Sequence, residues 1–316
     1  MQTQAVFIGV DVAKDTLVSC IWGVSKPQLV ANEERAIKSW LKTLSPQAVI
    51  AMESTGCYHQ NLARLAHQAG VRVYVLNAKD VYFYAKALGA RGKTDPGDAQ
   101  IIARYIAEHH ASLHAWQPGT EAQLRVQELL QCRARVAVHR ASLRQVLAGM
   151  QELTTAVLQL EQQFEQLLRH IDREVQALVA SEARLSRGSE LLQTISGIGP
   201  QSAALLAALL SRIEFANADA LVAYSGLDPR PCDSGKRSGK RRLSKRGSSI
   251  LRRQLYLAAL SATRSKPLGP TYHAIRAKGF KSTPAVVILA RKLLRIAWAV
   301  WNSGTPFDAA RLRSPA

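Results

Sequence analysis

Hydrophobic positions in the first third of the chain fall in short blocks rather than long stripes. Ala5 to Val10 and Leu17 to Trp22 are strand-length apolar runs split by the turn-like Lys14-Asp15, which predicts an antiparallel hairpin. Gln47 to Glu53 is apolar on both faces, the pattern of a central strand covered on both sides. An amphipathic helix is predicted over Asn61 to Gln68, ended by Gly70 and followed by an alternating strand from Val71 to Leu76, which completes a βαβ unit. Leu88 to Lys93 is a glycine-bearing basic loop. The helix that follows begins near Pro96 and places Ile101, Ile102, Tyr105 and Ile106 on its buried side.

The period changes after Thr120. A spacing of three then four runs through Leu129, Cys132, Val136, His139, Leu143, Val146, Met150, Leu153, Val157, Leu160, Phe164, Leu167, Ile171, Glu174 and Leu178, with no proline between Pro118 and Pro200. This predicts one long helix, or a helical hairpin, with a coiled-coil seam that only His139 and Glu174 interrupt. A seam of that length favours self-association. From Glu190 the pattern is compact and largely helical. Two helices are joined by Gly197-Ile-Gly199, a turn that in helix-hairpin-helix modules aims backbone N–H groups at a DNA phosphate and that serves equally well as a plain helix–helix turn. Tyr256 to Ser265 and Pro284 to Trp301 read as packing helices, with Trp298 and Trp301 in the core rather than stacked on bases.

Composition narrows the partners. The 316 residues are long enough for two compact domains, and 47% hydrophobic content gives each a core, which excludes a disordered chain. Forty-two basic residues against 23 acidic ones leave a net charge of +19, which predicts salt-sensitive attraction to a polyanion, nucleic acid first. The surplus is concentrated between Asp228 and Arg253, where ten Lys or Arg, among them Lys236, Arg237, Lys240, Arg241, Arg242, Lys245 and Arg246, meet only two acids. A solvated face usually mixes both signs, so this stretch is expected to touch nucleic acid. No window approaches the ~18 uninterrupted apolar residues of a membrane span, so a cytoplasmic protein without membrane contact is expected. Cys20, Cys57, Cys132 and Cys232 have no close pair, which argues against a zinc knuckle or a disulfide framework.

Four acids stand out against this basic background. Asp11 ends one apolar run and Glu53 another, while Asp95 and Asp98, three apart, share one helical face behind a loop bearing Arg91 and Lys93. Asp95 before Pro96 also reads as an N-cap, with Asp98 at the third helical position, so both could simply start a helix. Carboxylates at the ends of buried strands cost several kcal/mol unless paired or metal-bound, and converging on one sheet edge they would suit Mg²⁺ or Mn²⁺. Two such ions ~4 Å apart stabilise both the attacking and the leaving oxygen of a phosphodiester.

Five motifs in order, Ile8-Gly-Val-Asp11-Val-Ala-Lys14, Met52-Glu53-Ser-Thr-Gly-Cys-Tyr58, Lys93-Thr-Asp95-Pro-Gly-Asp98-Ala99, Ile195-Ser-Gly-Ile-Gly-Pro200 and Tyr224-Ser-Gly-Leu-Asp-Pro-Arg230, resemble the DEDD insertion-sequence transposases of the one-ten family, which are related to Piv-type DNA invertases. The resemblance implies a fold of class α/β plus α in three parts. These are a RuvC-like, ribonuclease-H-type domain over 1–115, a coiled-coil oligomerisation arm over 116–188, and a mostly helical transposase domain over 189–316. It implies that Asp11, Glu53, Asp95 and Asp98 bind Mg²⁺ and that a nucleophilic serine lies in an acid-Ser-Gly motif, here Asp233-Ser234-Gly235. It further implies a transient phosphoserine link, an active site shared between protomers of a dimer or tetramer, double-stranded DNA as partner, and guidance by a structured bridge RNA. Two other classes remain open on the residues alone. A RuvC or RNase-H-like nuclease would use the acids to activate water without Ser234, and a non-catalytic nucleic-acid scaffold would use only the basic surface.

Overall fold

A computed structural model describes residues 5–54, 58–90, 92, 94–230, 239 and 241–312. The chain forms two compact units, Met1–Pro118 and Gly119–Ala316.

The first unit is a five-stranded mixed sheet between two helical layers. In chain order it contains β1 (Val6–Val12), β2 (Thr16–Ile21), β3 (Gln28–Ala31), α1 (Glu34–Leu41), β4 (Ala48–Glu53), α2 (His59–Gln68), β5 (Arg72–Leu76), α3 (Ala78–Ala87) and α4 (Asp95–His109). The strand order is β3-β2-β1-β4-β5. β1, β2 and β3 form an antiparallel meander, with Asp11 opposite Val18 and Gly9 opposite Cys20. β4 lies parallel to β1, and β5 parallel to β4, the last two being joined through α2.

Alternation along the strands decides which helix covers which face. Ile8, Val10, Ile50 and Met52 point to one side and pack with Ile37 and Trp40 of α1 and Leu62 and Leu65 of α2. Val49, Ala51, Tyr74 and Leu76 point to the other side and meet Val81 of α3 and Ile102 and Ile106 of α4. The predicted hairpin, central strand and βαβ unit are all present. β3, α1 and α3 are elements that the hydrophobic pattern did not announce.

The second unit is helical. α5 (Glu121–Val146) and α6 (Thr154–Ala180) form a hairpin, followed by α7 (Ala183–Gln193), α8 (Pro200–Arg212), α9 (Ala218–Ser225), the short strands β6 (Pro229–Arg230) and β7 (Arg242–Leu243), α10 (Ser249–Ala262), α11 (Gly269–Ala277) and α12 (Ser282–Ser303). The predicted heptad stretch is thus two helices, reversed around Gly149 at φ +87°. Arg133 makes a two-pronged bond to Asp172 (2.6 and 3.0 Å), and Arg140 bonds Glu161. These pairs fix the antiparallel register. The open end is closed by a capping box on Thr120, with Thr120 and Gln123 both donating to Glu182.

The buried stripe of the hairpin differs from the predicted seam. It runs through Val126, Leu130 and Ala134 on α5 and Leu168, Ile171, Val175 and Val179 on α6, so Ile171 is the one predicted seam residue that is fully buried. His139 and Glu174 are exposed. The stripe merges with the core of α7, α8, α10 and α12. Trp298 and Trp301 pack against that core, and Trp301 presses on Gly188 so closely that a Cβ there would lie 2.2 Å from the indole.

The tightest joint in the first unit is Gly9 under α4, where a Cβ would lie 2.1 Å from the carbonyl oxygen of Ala99 and 2.2 Å from the nitrogen of Ala103. Both are backbone atoms that no rotamer change can move away. Gly9→Ala is therefore expected to cost about 3 kcal/mol and to lower the urea midpoint of unfolding. An unchanged midpoint would contradict this packing.

Candidate metal-binding active site and nucleic-acid interface

The close fit at Gly9 positions the acids. α4 runs antiparallel to β1. Its C-terminal neighbour His110 rests on Phe7 with ring centroids 4.7 Å apart, Ala103 and Ala99 cross Gly9, and the carbonyl of Pro96 accepts from the Cys20 thiol at 3.6 Å. The first turn of α4, with Asp95 and Asp98, therefore lies at the Asp11 end of β1. Asp11 follows Val10, which is paired with Met52, so the parallel register continues to set Asp11 beside Glu53, at the usual strand spacing of about 5 Å. Alternation puts both on the face that α4 covers, since Phe7 and Gly9 share it with Asp11, and Val49 and Ala51 share it with Glu53.

Three elements thus bring Asp11, Glu53 and the Asp95/Asp98 turn to one end and one face of the sheet. Asp11, Glu53 and Asp98 are half-buried, and Asp95 is exposed. Among the described residues no three His, Cys, Asp or Glu side chains are gathered tightly enough to grip a metal ion. The donor set itself is all carboxylate oxygen, which fits Mg²⁺ or Mn²⁺ and does not fit the sulfur and imidazole preferences of zinc.

The helix-start explanation for Asp95 is corrected by the cap geometry. Thr94, with extended backbone at φ −141°, is the N-cap, and its hydroxyl accepts from the Gly97 N–H at 3.3 Å. Asp95 is the first helical residue and Asp98 the fourth. Neither carboxylate is the N-cap, although both stand in the first turn of the helix, where negative charge is favourable.

α3 is fastened to α4 by Tyr84. Its ring packs edge-on against Tyr105 and His109, and its hydroxyl donates to Glu108, which Arg104 also holds at 2.8 Å. Burial and the neighbouring carboxylate push the Tyr84 phenol up to about 12.

In the second unit the basic stretch is organised by a small hairpin. β6 and β7 pair antiparallel, Pro229 with Leu243 and Arg230 with Arg242. Its base is clasped by Asp228, whose carbonyl accepts from the Ser244 N–H at 3.0 Å and whose carboxylate accepts the Ser244 hydroxyl. Gly226 (φ +71°) accepts from the N–H of Lys245, itself at φ 53°. Below the hairpin, the Arg252 guanidinium donates to the carbonyls of Ser225 and Gly247. Burial lowers the pKa of Arg252, and burial together with the nearby Arg295 lowers that of Arg291.

Arg241, Arg242, Lys245 and Arg246 are exposed on this hairpin and the turn after it. Ser234, Lys236, Arg237 and Lys240, like Arg91 and Lys93, lie outside the described residues. At the Gly-x-Gly turn, Gly197 (φ +96°) has a packing reason for being glycine, because a Cβ would lie 2.5 Å from the carbonyl of Ala258 on α10. Gly199 N-caps α8 without a side-chain bond, and the space where its Cβ would stand is open. The Asp228–Ser244 clasp is signalled in the sequence by nothing more than an Asp before Pro229.

The comparisons with known proteins point to one class, the DNA transposases. The model of the Transposase IS116/IS110/IS902 family matches residues 189–274, and the DEDD transposase model named for IS110 matches residues 8–155. Over 96% of this chain and 97% of the relative, the sequence is 28% identical to the pilin gene-inverting protein of Moraxella bovis. A probable family 20 transposase of Pseudomonas aeruginosa is 27% identical over 94% and 97% of the two chains. A 42 kDa protein of insertion element IS900 from Mycobacterium paratuberculosis is 34% identical, over 52% of this chain and 42% of that one. The chain belongs to the IS110 family of DEDD transposases.

If Thr94 rather than Asp95 starts α4, Thr94→Ala should cost about 1 kcal/mol in chemical denaturation and Asp95→Ala distinctly less. The opposite ranking would return Asp95 to a capping role.

Proposed function

We propose that this protein is an insertion-sequence recombinase that cuts and rejoins DNA through a covalent phosphoserine link, using Asp11, Glu53, Asp95 and Asp98 with Mg²⁺ or Mn²⁺ and Ser234 as nucleophile. The reading is supported by the register of β1 with β4 and by the seating of α4 over Gly9, which direct the four acids toward one end and one face of the sheet, in a chain of this family. A sheet order of β3-β2-β1-β4-β5, with only the first three strands antiparallel, supports a RuvC-like, ribonuclease-H-type frame for the domain over 1–115.

When bound, the divalent ion would neutralise charge on the phosphate and lower the cost of deprotonating a hydroxyl. The carboxylates hold and orient that charge. A serine hydroxyl is a weak nucleophile at neutral pH, so it needs this help and a cationic surround. One P–O bond forms to Ser234 Oγ while the bond to the departing sugar oxygen breaks, and the serine proton ends on that leaving oxygen. Attack by the hydroxyl of the new strand reverses both changes. Bond count is conserved and no ATP is consumed.

Arg241, Arg242, Lys245 and Arg246, with Lys236, Arg237, Lys240, Arg91 and Lys93, supply the cations for phosphate contact, and the Gly197–Gly199 turn ahead of α8 offers backbone N–H groups. The net charge of +19 is enough surplus for both double-stranded DNA and a guiding bridge RNA. Self-association through the helical arm over 116–188, as a coiled-coil dimer or tetramer, is supported by the outer half of the α5–α6 hairpin, where Val146 (63% exposed) and Leu158 (61%) face outward with Val138, Met150 and Leu153. The transposase domain over 189–316 would then complete the site of another protomer. No helix among the described residues is long and apolar enough to cross a membrane, in keeping with action on DNA in the cytoplasm.

A metal-dependent hydrolytic nuclease is the second reading, favoured by the fact that all four acids belong to the first unit. Purified protein with Mg²⁺, DNA carrying the ends of its own element and the adjacent non-coding RNA separates the two. Wild type should form a protein–DNA adduct that survives denaturation. Ser234→Ala and Asp11→Asn should each abolish it. Free cleaved ends from Ser234→Ala at the wild-type rate would overturn the serine mechanism in favour of hydrolysis.

A further inference from the structure

The helix α3 is unusual in what it turns outward. Its inner side carries Val81, 3% exposed, together with Tyr84 and Ala85. Its outer side carries Lys79, Tyr82, Phe83 and Lys86, at positions i, i+3, i+4 and i+7 of one helical stripe. Tyr82 is 56% exposed and Phe83 53%. The two rings meet edge to face at 5.4 Å, and the Lys86 ammonium sits 5.7 Å from the centre of the Tyr82 ring.

A ten-residue helix would ordinarily cover this stripe with charge. Here two large flat rings occupy its centre and a lysine stands at each end. The local sequence has the same sign, since from Ala78 to Lys93 it carries Lys79, Lys86, Arg91 and Lys93 against a single acid, Asp80. A protein partner seated on two aromatic rings would not need such a one-sided surplus of cations. A polyanion with exposed flat faces would. Aromatic rings flanked by cations are the means by which proteins grip unpaired bases and the phosphates between them.

Location gives the stripe a purpose. α3 begins at Ala78, two residues after Leu76, which pairs with Glu53, so it leaves the sheet at the end where Glu53 stands. Tyr82 and Phe83 lie about 6 to 7.5 Å along the helix from that start. The residues that follow α3 lead into the Asp95/Asp98 turn. The helix does not swing freely, because Tyr84 locks it to α4 and the Asn77 side chain caps its first turn by accepting from the Lys79 N–H at 3.0 Å.

We propose that the outward face of α3, Lys79, Tyr82, Phe83 and Lys86, is a stacking platform that holds unpaired bases of the DNA strand presented to the four acids. The proposal rests on reading DNA as the substrate of that site. Strand exchange requires bases next to the cut to leave the duplex, and within a duplex their faces are covered by their neighbours, so a stacking surface selects the opened strand.

The test uses the full chain and a short fluorescent oligonucleotide, offered as a single strand and as a blunt duplex of the same sequence. Tyr82→Ala/Phe83→Ala should weaken single-strand binding about tenfold or more while duplex binding stays within about twofold. Tyr82→Trp/Phe83→Trp, which keeps two flat rings, should restore it. Unchanged single-strand binding in the alanine variant would overturn the platform, and so would an equal loss on both substrates. A change in sedimentation with DNA binding intact would also overturn it, and would make the face a protein contact. Wild-type protein that binds neither form would overturn the DNA reading itself along with the platform.

Discussion

The first unit depends on the contact of α4 with β1 across Gly9. Any side chain at that position would push the helix off the sheet, because the atoms in the way are backbone atoms of α4. With the helix seated, the direction of α4 and the parallel register of β1 with β4 leave little freedom for the acidic residues. Asp11 and Glu53 emerge side by side where the strands end, and the first turn of α4 arrives over them. Thr94 is the N-cap at that turn, and Asp95 and Asp98 both stand in the first turn of the helix behind it. Burying part of a carboxylate is costly unless something positive compensates it, and carboxylates brought together at one sheet end share that requirement.

The second unit solves a different problem, which is to carry a concentrated positive charge on a stable base. The core formed by α7, α8, α10 and α12 is apolar and closely packed, down to the indole of Trp301 against Gly188. On it stands the β6–β7 hairpin, fixed at its root by the Asp228–Ser244 clasp and by Arg252 reaching two carbonyls from beneath. The exposed arginines and lysines of this stretch repel one another, and the hairpin that carries them is held at its root by neutral and charge-assisted hydrogen bonds, Ser244 to Asp228 and Arg252 to the carbonyls of Ser225 and Gly247.

Much of the first unit was legible because its strands are buried and short. Apolar blocks ending in Asp11 and Glu53 announce strands whatever surrounds them, and a glycine after Gln68 announces a helix end. α3 escaped because its aromatic residues lie on the wrong side for an amphipathic helix, so Ala78 to Ala87 carries no clean inward stripe. The stripe buried inside the α5–α6 hairpin was not legible for a related reason. A heptad search favours large side chains, while the packed stripe of α5 ends on Ala134, and the leucines and valines around the Gly149 reversal lie outward. Ser234 had no local signature beyond a turn-like Asp-Ser-Gly, so its role came from the family resemblance. The Asp228 clasp joins residues sixteen apart through a hydrogen bond that no periodicity encodes.

The central claim, that the carboxylates at this sheet end form one divalent-cation site, is tested most directly by the loss of the free Mn²⁺ electron paramagnetic resonance signal on adding protein. Wild-type protein should take up Mn²⁺, with Mg²⁺ competing for it. Asp11→Asn, Glu53→Gln and Asp98→Asn should each weaken that uptake while leaving the circular dichroism spectrum unchanged. Uptake by the three variants equal to that of wild type, or none by wild type, would contradict the account.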